Sequence, residues 1–409
     1  MNRLLADLRI VEISAFVAAP LGGMTMAQMG AEVIRIDPIG GGIDHARWPV
    51  VASGASLYWA GLNKAKRSVA LALDKPEGRV LAQALATAPG PGGGIVLTNL
   101  PPLPGLDYAG LKARRNDVIL LRLIGNRDGS AAVDYTVNAA SGFPLVTGSN
   151  RDTGGGMPVN HVLPAWDIAT GLYLATALLA AERHRLRTGE GQEVVAALAD
   201  VALAMVGHLG YVGDVQINGH ARPPLGNDLY GSFGRDFATA DGRRIMIIAL
   251  TPRQWRGLGR ATGLADKFAQ AGAMMEADLD TETGRFTARD AIAAVLAPWC
   301  AARSLAEIEA AFAGSGVLWS PFQDFAELVT RDPRCSPQNP MFSEVEQPGI
   351  GRYLMPGLPL DFSAAPREPT RPAPRLGDDT DAVLAEALGL GNAEIARLHD
   401  SGIIAGPAG

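Results

Sequence analysis

Residues 8–37, LRIVEISAFVAAPLGGMTMAQMGAEVIRID, place two β-like runs around one helical segment. LRIVEI (Leu8 to Ile13) reads as a strand and AEVIRID (Ala31 to Asp37) as the next. Between them, PLGGMTMAQMG (Pro20 to Gly30) has proline in its first turn and glycine at its close, the punctuation of a helix. The alternation continues outward. RSVALAL (67–73), GIVLTNL (94–100) and VILLRLI (118–124) are separated by PEGRVLAQALATA and YAGLKARRND. Strands spaced by helical stretches predict a parallel sheet with helices on both faces.

Further along, FATADGRRIMIIAL sets two strand-like runs around Asp241-Gly242, a hairpin turn. Thr251-Pro252 opens a helix, and Ser304-Leu305-Ala306-Glu307 has capping-box spacing. The expected architecture is α/β: a large α/β domain at 1–200, a linker at 201–220, a smaller α+β domain at 221–325, and a loop-rich return to the large domain at 326–409.

The 409 residues suffice for two or three domains. Glycine (49) and proline (28) together stay below the ~25–30% that marks low-complexity chains, so disorder is not the expected state. A net charge of −6 offers no basic field for nucleic acid or anionic lipid. The two cysteines, Cys300 and Cys335, form no C-x-x-C pair, which argues against a zinc ribbon or a disulfide scaffold. MNRLLADLRIVEIS lacks the pattern of a signal peptide. The longest apolar helix-like run, Ile168 to Ala181, falls short of the roughly 20 residues a bilayer span needs. The expectation is a soluble, cytoplasmic protein.

The dinucleotide fingerprint needs its glycines in the first strand–helix turn, which here is SAFVAAP; no G-x-x-x-x-G-K-[ST] occurs either. Gly40-Gly41-Gly42 therefore reads as a flexible turn. The six histidines (45, 161, 184, 208, 220 and 399) show no metal spacing, and no serine sits in a G-x-S-x-G elbow. One carboxylate stands apart. Asp167, in LPAWDIATGLYLATALLAAERHRLRTGEGQ, precedes a helix of small apolar residues. It is read either as an N-cap, satisfying open backbone N–H groups, or as a nucleophile that helix N–H groups keep ionised. The residues alone leave both open.

Taken together, LRIVEISAFVAAPLGGMTMAQMGAEVIRIDPIGGGIDHAR, LNKAKRSVALALDKPEG, WDIATGLYLATALLAAERHRLRTGEGQ, GNDLYGSFGRDFATADGR and PAPRLGDDTDAVL resemble, in this order, the class III CoA-transferase family, which includes the α-methylacyl-CoA racemases. The resemblance implies an interlaced homodimer acting on an acyl-CoA, with CoA as part of the substrate and no tightly bound cofactor or metal. Asp167 would be the nucleophile, passing through an aspartyl-CoA thioester. FVAAPLGGM, DPIGGG, NHVLPAWDI and EQPGIGRYLMPG are similar to members that move CoA between the C1 and C4 carboxylates of mesaconate. The alternatives are an intermolecular transferase with a free dicarboxylic acid as acceptor, an acyl-CoA racemase, and a non-catalytic acyl-CoA-binding protein.

The resemblance also places CoA contacts at Val17, Ala18, Lys75, Asn99, Leu100, Ile124, Gly125 and Asn126. Val17 replaces a glutamine common in formyl-CoA transferases, and Pro38 an arginine found in some relatives. Arg47 would anchor a substrate carboxylate, against its plain reading as a surface salt bridge. Gly226, Asn227 and Tyr230 would close over the substrate. The racemase histidine is replaced by Val133, just before Asp134, which speaks against an activity needing acid–base groups on both faces of the α-carbon.

Overall fold

The computed structural model describes residues 4–148, 157–367 and 369–407. Contacts divide the chain into two compact units: one of residues 1–141, 162–213 and 333–409, the other of 142–161 and 214–332.

The first unit is built on a seven-stranded sheet. Its strands are β1 (Arg9–Ile13), β2 (Glu32–Pro38), β3 (Arg67–Leu71), β4 (Ile95–Thr98), β5 (Ile119–Ile124), β6 (Glu193–Ala197) and β12 (Ile404–Ala405), in the spatial order β12-β3-β2-β1-β4-β5-β6. All pairs are parallel except β12 with β3. The expected mixed architecture with a largely parallel sheet is therefore present. The strands are mostly apolar because helices cover both faces, and the charged residues within the central pair, Glu12, Arg35 and Asp37, are buried in ion pairs. The order reverses between β1 and β4, so the loops leaving these neighbours diverge and open a crevice at their carboxyl ends.

Helix α1 (Ala18–Gln28) starts two residues before the proline, because Ala18 and Ala19 are small enough to bury in its first turn. The other helices are α2 (Leu57–Leu62), α3 (Pro76–Ala86), α4 (Tyr108–Lys112), α5 (Asp134–Ala140), α6 (Phe143–Thr147, in the second unit), α7 (Ala165–Thr188) and α8 (Leu198–His208). Two glycines explain the small-residue composition of α1 and α7. A Cβ on Gly171 would lie 2.7 Å from the Ala18 carbonyl, and one on Gly23 would lie 1.7 Å from Glu12 Oε2. A bare backbone lets α7 meet the α1 backbone this closely, and on α1 it leaves room for the buried Glu12 side chain.

The stretch read as a linker, 201–220, is largely helical instead. LADVALAMVGH is an apolar run without an internal breaker, so α8 continues to His208, and short helical turns follow at Tyr211–Gly213 and Asp214–Asn218. Strands β10 (Phe342–Gln347) and β11 (Gly351–Pro356) form an antiparallel hairpin in the first unit. Among the described residues, no single helix is long and apolar enough to cross a membrane.

The second unit carries β7 (Phe233–Ala238), β8 (Arg244–Ala249) and β9 (Leu318–Pro321) as an antiparallel sheet. Gly242 takes φ +74° in the β7–β8 turn. Thr251 and Ser304 cap their helices through capping boxes. Phe233, Ile247, Leu258 and Leu296 form a core of this unit's own.

Candidate active site

At the β1–β4 crevice the chain turns without glycine. Phe16 holds φ +68°, a left-handed conformation that is costly for a bulky side chain. Three hydrogen bonds hold this turn. The Phe16 N–H donates to Asp44 Oδ2 (2.9 Å), the Ala15 N–H donates to Asn99 Oδ1 (2.9 Å), and Asn99 Nδ2 donates to the Ala15 carbonyl (2.7 Å). Asp44 is anchored in turn by Arg35, a fully buried guanidinium that also bonds Asp37, Asn63 and the Ser14 carbonyl. Lys66 and Glu12 form a second buried ion pair at 2.7 Å beside it. Charge buried under the sheet's carboxyl edge thus fixes a strained turn above it.

That turn forms one wall of a cavity of about 660 Å³. Val17, Ala18, Arg47, Asn99, Ile124, Gly125 and Asp167, all singled out in the sequence, line it together. Asn99 lines it with both amide atoms already committed to Ala15. Three further candidates lie elsewhere. Leu100 opens onto a separate cavity of about 230 Å³ with Leu103 and Tyr108. Asn126 bonds Ser130 Oγ. Lys75 Nζ donates to the carbonyls of Ser401 and Gly402, tying α3's N-terminus to the C-terminal segment. Gly226, Asn227 and Tyr230 belong to the second unit, where the Tyr230 ring packs edge-on to Phe286 and carries the Arg222 guanidinium over its face.

Asp167 is not an N-cap. Pro164 holds that position, and Asp167 is the third residue of α7. The expected help from helix N–H groups goes to a different carboxylate: Asp134 Oδ2 accepts from the N–H of Trp166 (2.7 Å) and of Asp167 (3.1 Å). The Asp167 carboxylate itself accepts no hydrogen bond among the described residues. Burial pushes its pKa up to about 6, the Asp134 charge adds to the rise, and Arg47 opposes it. Near neutral pH it is still mostly ionised.

Arg47 makes no ion pair among the described residues, so the surface salt-bridge reading does not hold. Its guanidinium lies over the rings of Phe16 (5.4 Å) and Tyr58 (5.3 Å), which orient a cation with no carboxylate partner. Burial pushes the Tyr58 hydroxyl up to about 12, so it remains protonated. Sequence reading did not find Phe16, Trp48, Tyr58 or Tyr135, which also line the cavity. Aromatic residues carry no spacing signature, and only the three-dimensional turn gathers them. The cavity brings together a half-buried, poorly solvated carboxylate and an oriented cation, the groups that nucleophilic attack and anion binding require.

Comparison with known proteins gives consistent results. The model of CoA-transferase family III matches residues 5–380. The chain is 56% identical to 2-methylfumaryl-CoA isomerase of Chloroflexus aurantiacus, over 100% of this chain and 99% of that protein. It is 29% identical to a succinate–glutarate CoA-transferase of Agrobacterium fabrum, over 93% and 95%. A crystal structure of a CaiB/BaiF family protein from Brucella suis superposes with a TM-score of 0.76 at 24% identity, covering 95% of this chain and 100% of that one.

Proposed function

The chain belongs to CoA-transferase family III, and from that membership we propose that it converts 2-methylfumaryl-CoA into 3-methylfumaryl-CoA. CoA passes from C1 to C4 of one mesaconate, with Asp167 as the nucleophile. Its carboxylate attacks the C1 thioester carbonyl, giving a mixed anhydride and releasing the CoA thiolate. The thiolate attacks the aspartyl carbonyl, forming aspartyl-CoA and freeing the C1 carboxylate. The C4 carboxylate then attacks aspartyl-CoA to form the second anhydride, again releasing thiolate. Attack of that thiolate on the C4 carbonyl gives the product and restores Asp167.

The observation that carries this reading is the pairing, in one cavity, of a carboxylate that accepts no hydrogen bond and an arginine with no carboxylate partner among the described residues. Arg47 holds whichever mesaconate carboxylate is not reacting, and retention of the acid beside aspartyl-CoA favours internal return by proximity. The pantetheine arm runs along Val17, Ala18, Ile124 and Gly125. The poorly solvated cavity limits the access of water, which would hydrolyse the anhydride. Val133 offers no acid–base group for racemisation. The setting is a cytoplasmic homodimer with no tightly bound cofactor. Exposed Leu172, Tyr173 and Leu179 on α7 and Leu203 on α8 support the dimer as an apolar surface that a second copy covers.

The test is one incubation with 2-methylfumaryl-CoA and isotopically labelled free mesaconate. Unlabelled 3-methylfumaryl-CoA is the expected product. Label in the CoA ester would replace the reading with an intermolecular transferase.

A further inference from the structure

Asp134 stands beside Asp167 and does more than a cap requires. It is 4% exposed, its Oδ2 takes two N–H groups of α7's first turn, and its Oδ1 is buried without a hydrogen-bond partner among the described residues. One turn along α5, Asn138 Oδ1 accepts from the Trp166 indole N–H at 3.1 Å, which fixes the register of α5 against α7. A neutral Asn or Ser caps a helix as well as Asp does. A buried carboxylate with one oxygen unsatisfied, next to a second carboxylate, is the more costly choice.

We infer that Asp134 is a positioning residue for CoA transfer: by taking the first-turn N–H groups of α7 it leaves the Asp167 carboxylate unbonded in the cavity, and its neighbouring carboxylate keeps that group reactive. The inference rests on the reading of Asp167 as nucleophile. The titratable and charged groups that line the cavity with Asp167 are Asp134 and Tyr135 from α5, Arg47 from the segment before α2, and Tyr58 from α2. Asp134 favours the protonated form of Asp167 and Arg47 the ionised form, while Tyr58 stays neutral at working pH. Removing the Asp134 charge therefore lowers the pH at which Asp167 ionises.

The experiment is single-turnover conversion of 2-methylfumaryl-CoA from pH 4.5 to 8.5 by the wild type and by D134N, D134A and D167N, with melting temperatures measured alongside. D134N keeps an acceptor for the two N–H groups and removes the charge. Its acid-side midpoint is expected to fall by about one pH unit, the lower end of what a neighbouring charge produces. D134A also frees the N–H groups, so Asp167 turns to accept them and the plateau single-turnover rate falls by about 10²-fold, with the half-saturating enzyme concentration little changed. D134N and D134A midpoints that stay at the wild-type value, whatever the melting temperatures, reduce Asp134 to a structural cap. An inactive D167N with unmoved midpoints overturns this inference alone. An active D167N overturns the nucleophile reading and this inference with it.

Discussion

Phe16 and Asp44 are joined by a 2.9 Å hydrogen bond from the Phe16 N–H to Asp44 Oδ2, while the same carboxylate lies 3.3 Å from the buried Arg35 guanidinium. One side chain thus links the charge beneath the sheet edge to the turn that shapes the cavity.

Replacing Asp44 by Ala leaves Arg35 short of a partner and Phe16 without its restraint. Removing one member of a buried ionic network costs about 3–5 kcal/mol. The expected result in urea denaturation is a lower midpoint at unchanged m-value, with kcat reduced in the remaining folded enzyme. A stability within about 0.5 kcal/mol of wild type, the usual range for an unremarkable surface change, would show that the network does not depend on Asp44.

Arg47 lies over two rings, and a lysine cannot reproduce that planar contact. R47K and R47A are both expected to raise KM by at least about tenfold, the loss of roughly one charge-assisted hydrogen bond. The two variants should resemble each other more than either resembles the wild type. Steady-state kinetics at fixed pH decide it, and an R47K variant with wild-type KM argues against carboxylate recognition by Arg47.

Asp167 is raised from 3.8 to about 6 in the folded chain, chiefly by burial. A carboxyl raised on folding binds more protons in the native state than in the unfolded state between these values. Its contribution is therefore present below about pH 4 and is lost as pH rises through 6. D167N removes this penalty. The variant should melt above the wild type at pH 7.5, by about 1–2 kcal/mol after allowance for partial solvent access, and near it at pH 4. Differential scanning calorimetry at both values checks this; equal stability at pH 7.5 means the carboxylate is not strained by its surroundings.

Gly171 lies on the same helix as Asp167, and a Cβ there would sit 2.7 Å from the Ala18 carbonyl. G171A forces α1 and α7 apart, at about 1–3 kcal/mol for overpacking. Because both helices carry cavity residues, activity should fall further than stability accounts for. Thermal melts and kcat measured on one preparation separate the two effects.

The sheet was legible because its strands are mostly apolar and separated by helical stretches, and the limits of LRIVEI, AEVIRID and VILLRLI fall within a residue or two of β1, β2 and β5; the charges inside them (Glu12, Arg35, Asp37) gave no sign of being buried and paired. Asp167 was legible as an acid at a helix start. Its exact place was not, since Pro164 and Asp167 both suit a first turn and only the backbone shows which one caps. The contact of Asp134 with α7 was hidden for another reason. It reaches α7 from a different helix, and a contact made across 33 residues leaves no local spacing to read. Asn99 and Lys75 stand at positions the resemblance marks for CoA, yet their side chains bind this chain's own carbonyls. Sequence identifies the position, but the partner depends on how neighbouring loops close.

Strand β12 completes the sheet from the far end of the sequence, pairing Ile404 with Leu71 and Ala405 with Ala70. During synthesis, β3 must therefore present an open edge while more than 300 further residues are made. At about 5–20 residues per second that interval is on the order of 20–60 s, long enough for unpaired edges on neighbouring nascent chains to meet. The last strand acts as a latch that closes the aggregation window. A chain shortened before Ile403 should scatter light on refolding at concentrations where the longer chain stays clear, and equal clarity would mean that β3 is protected by other means.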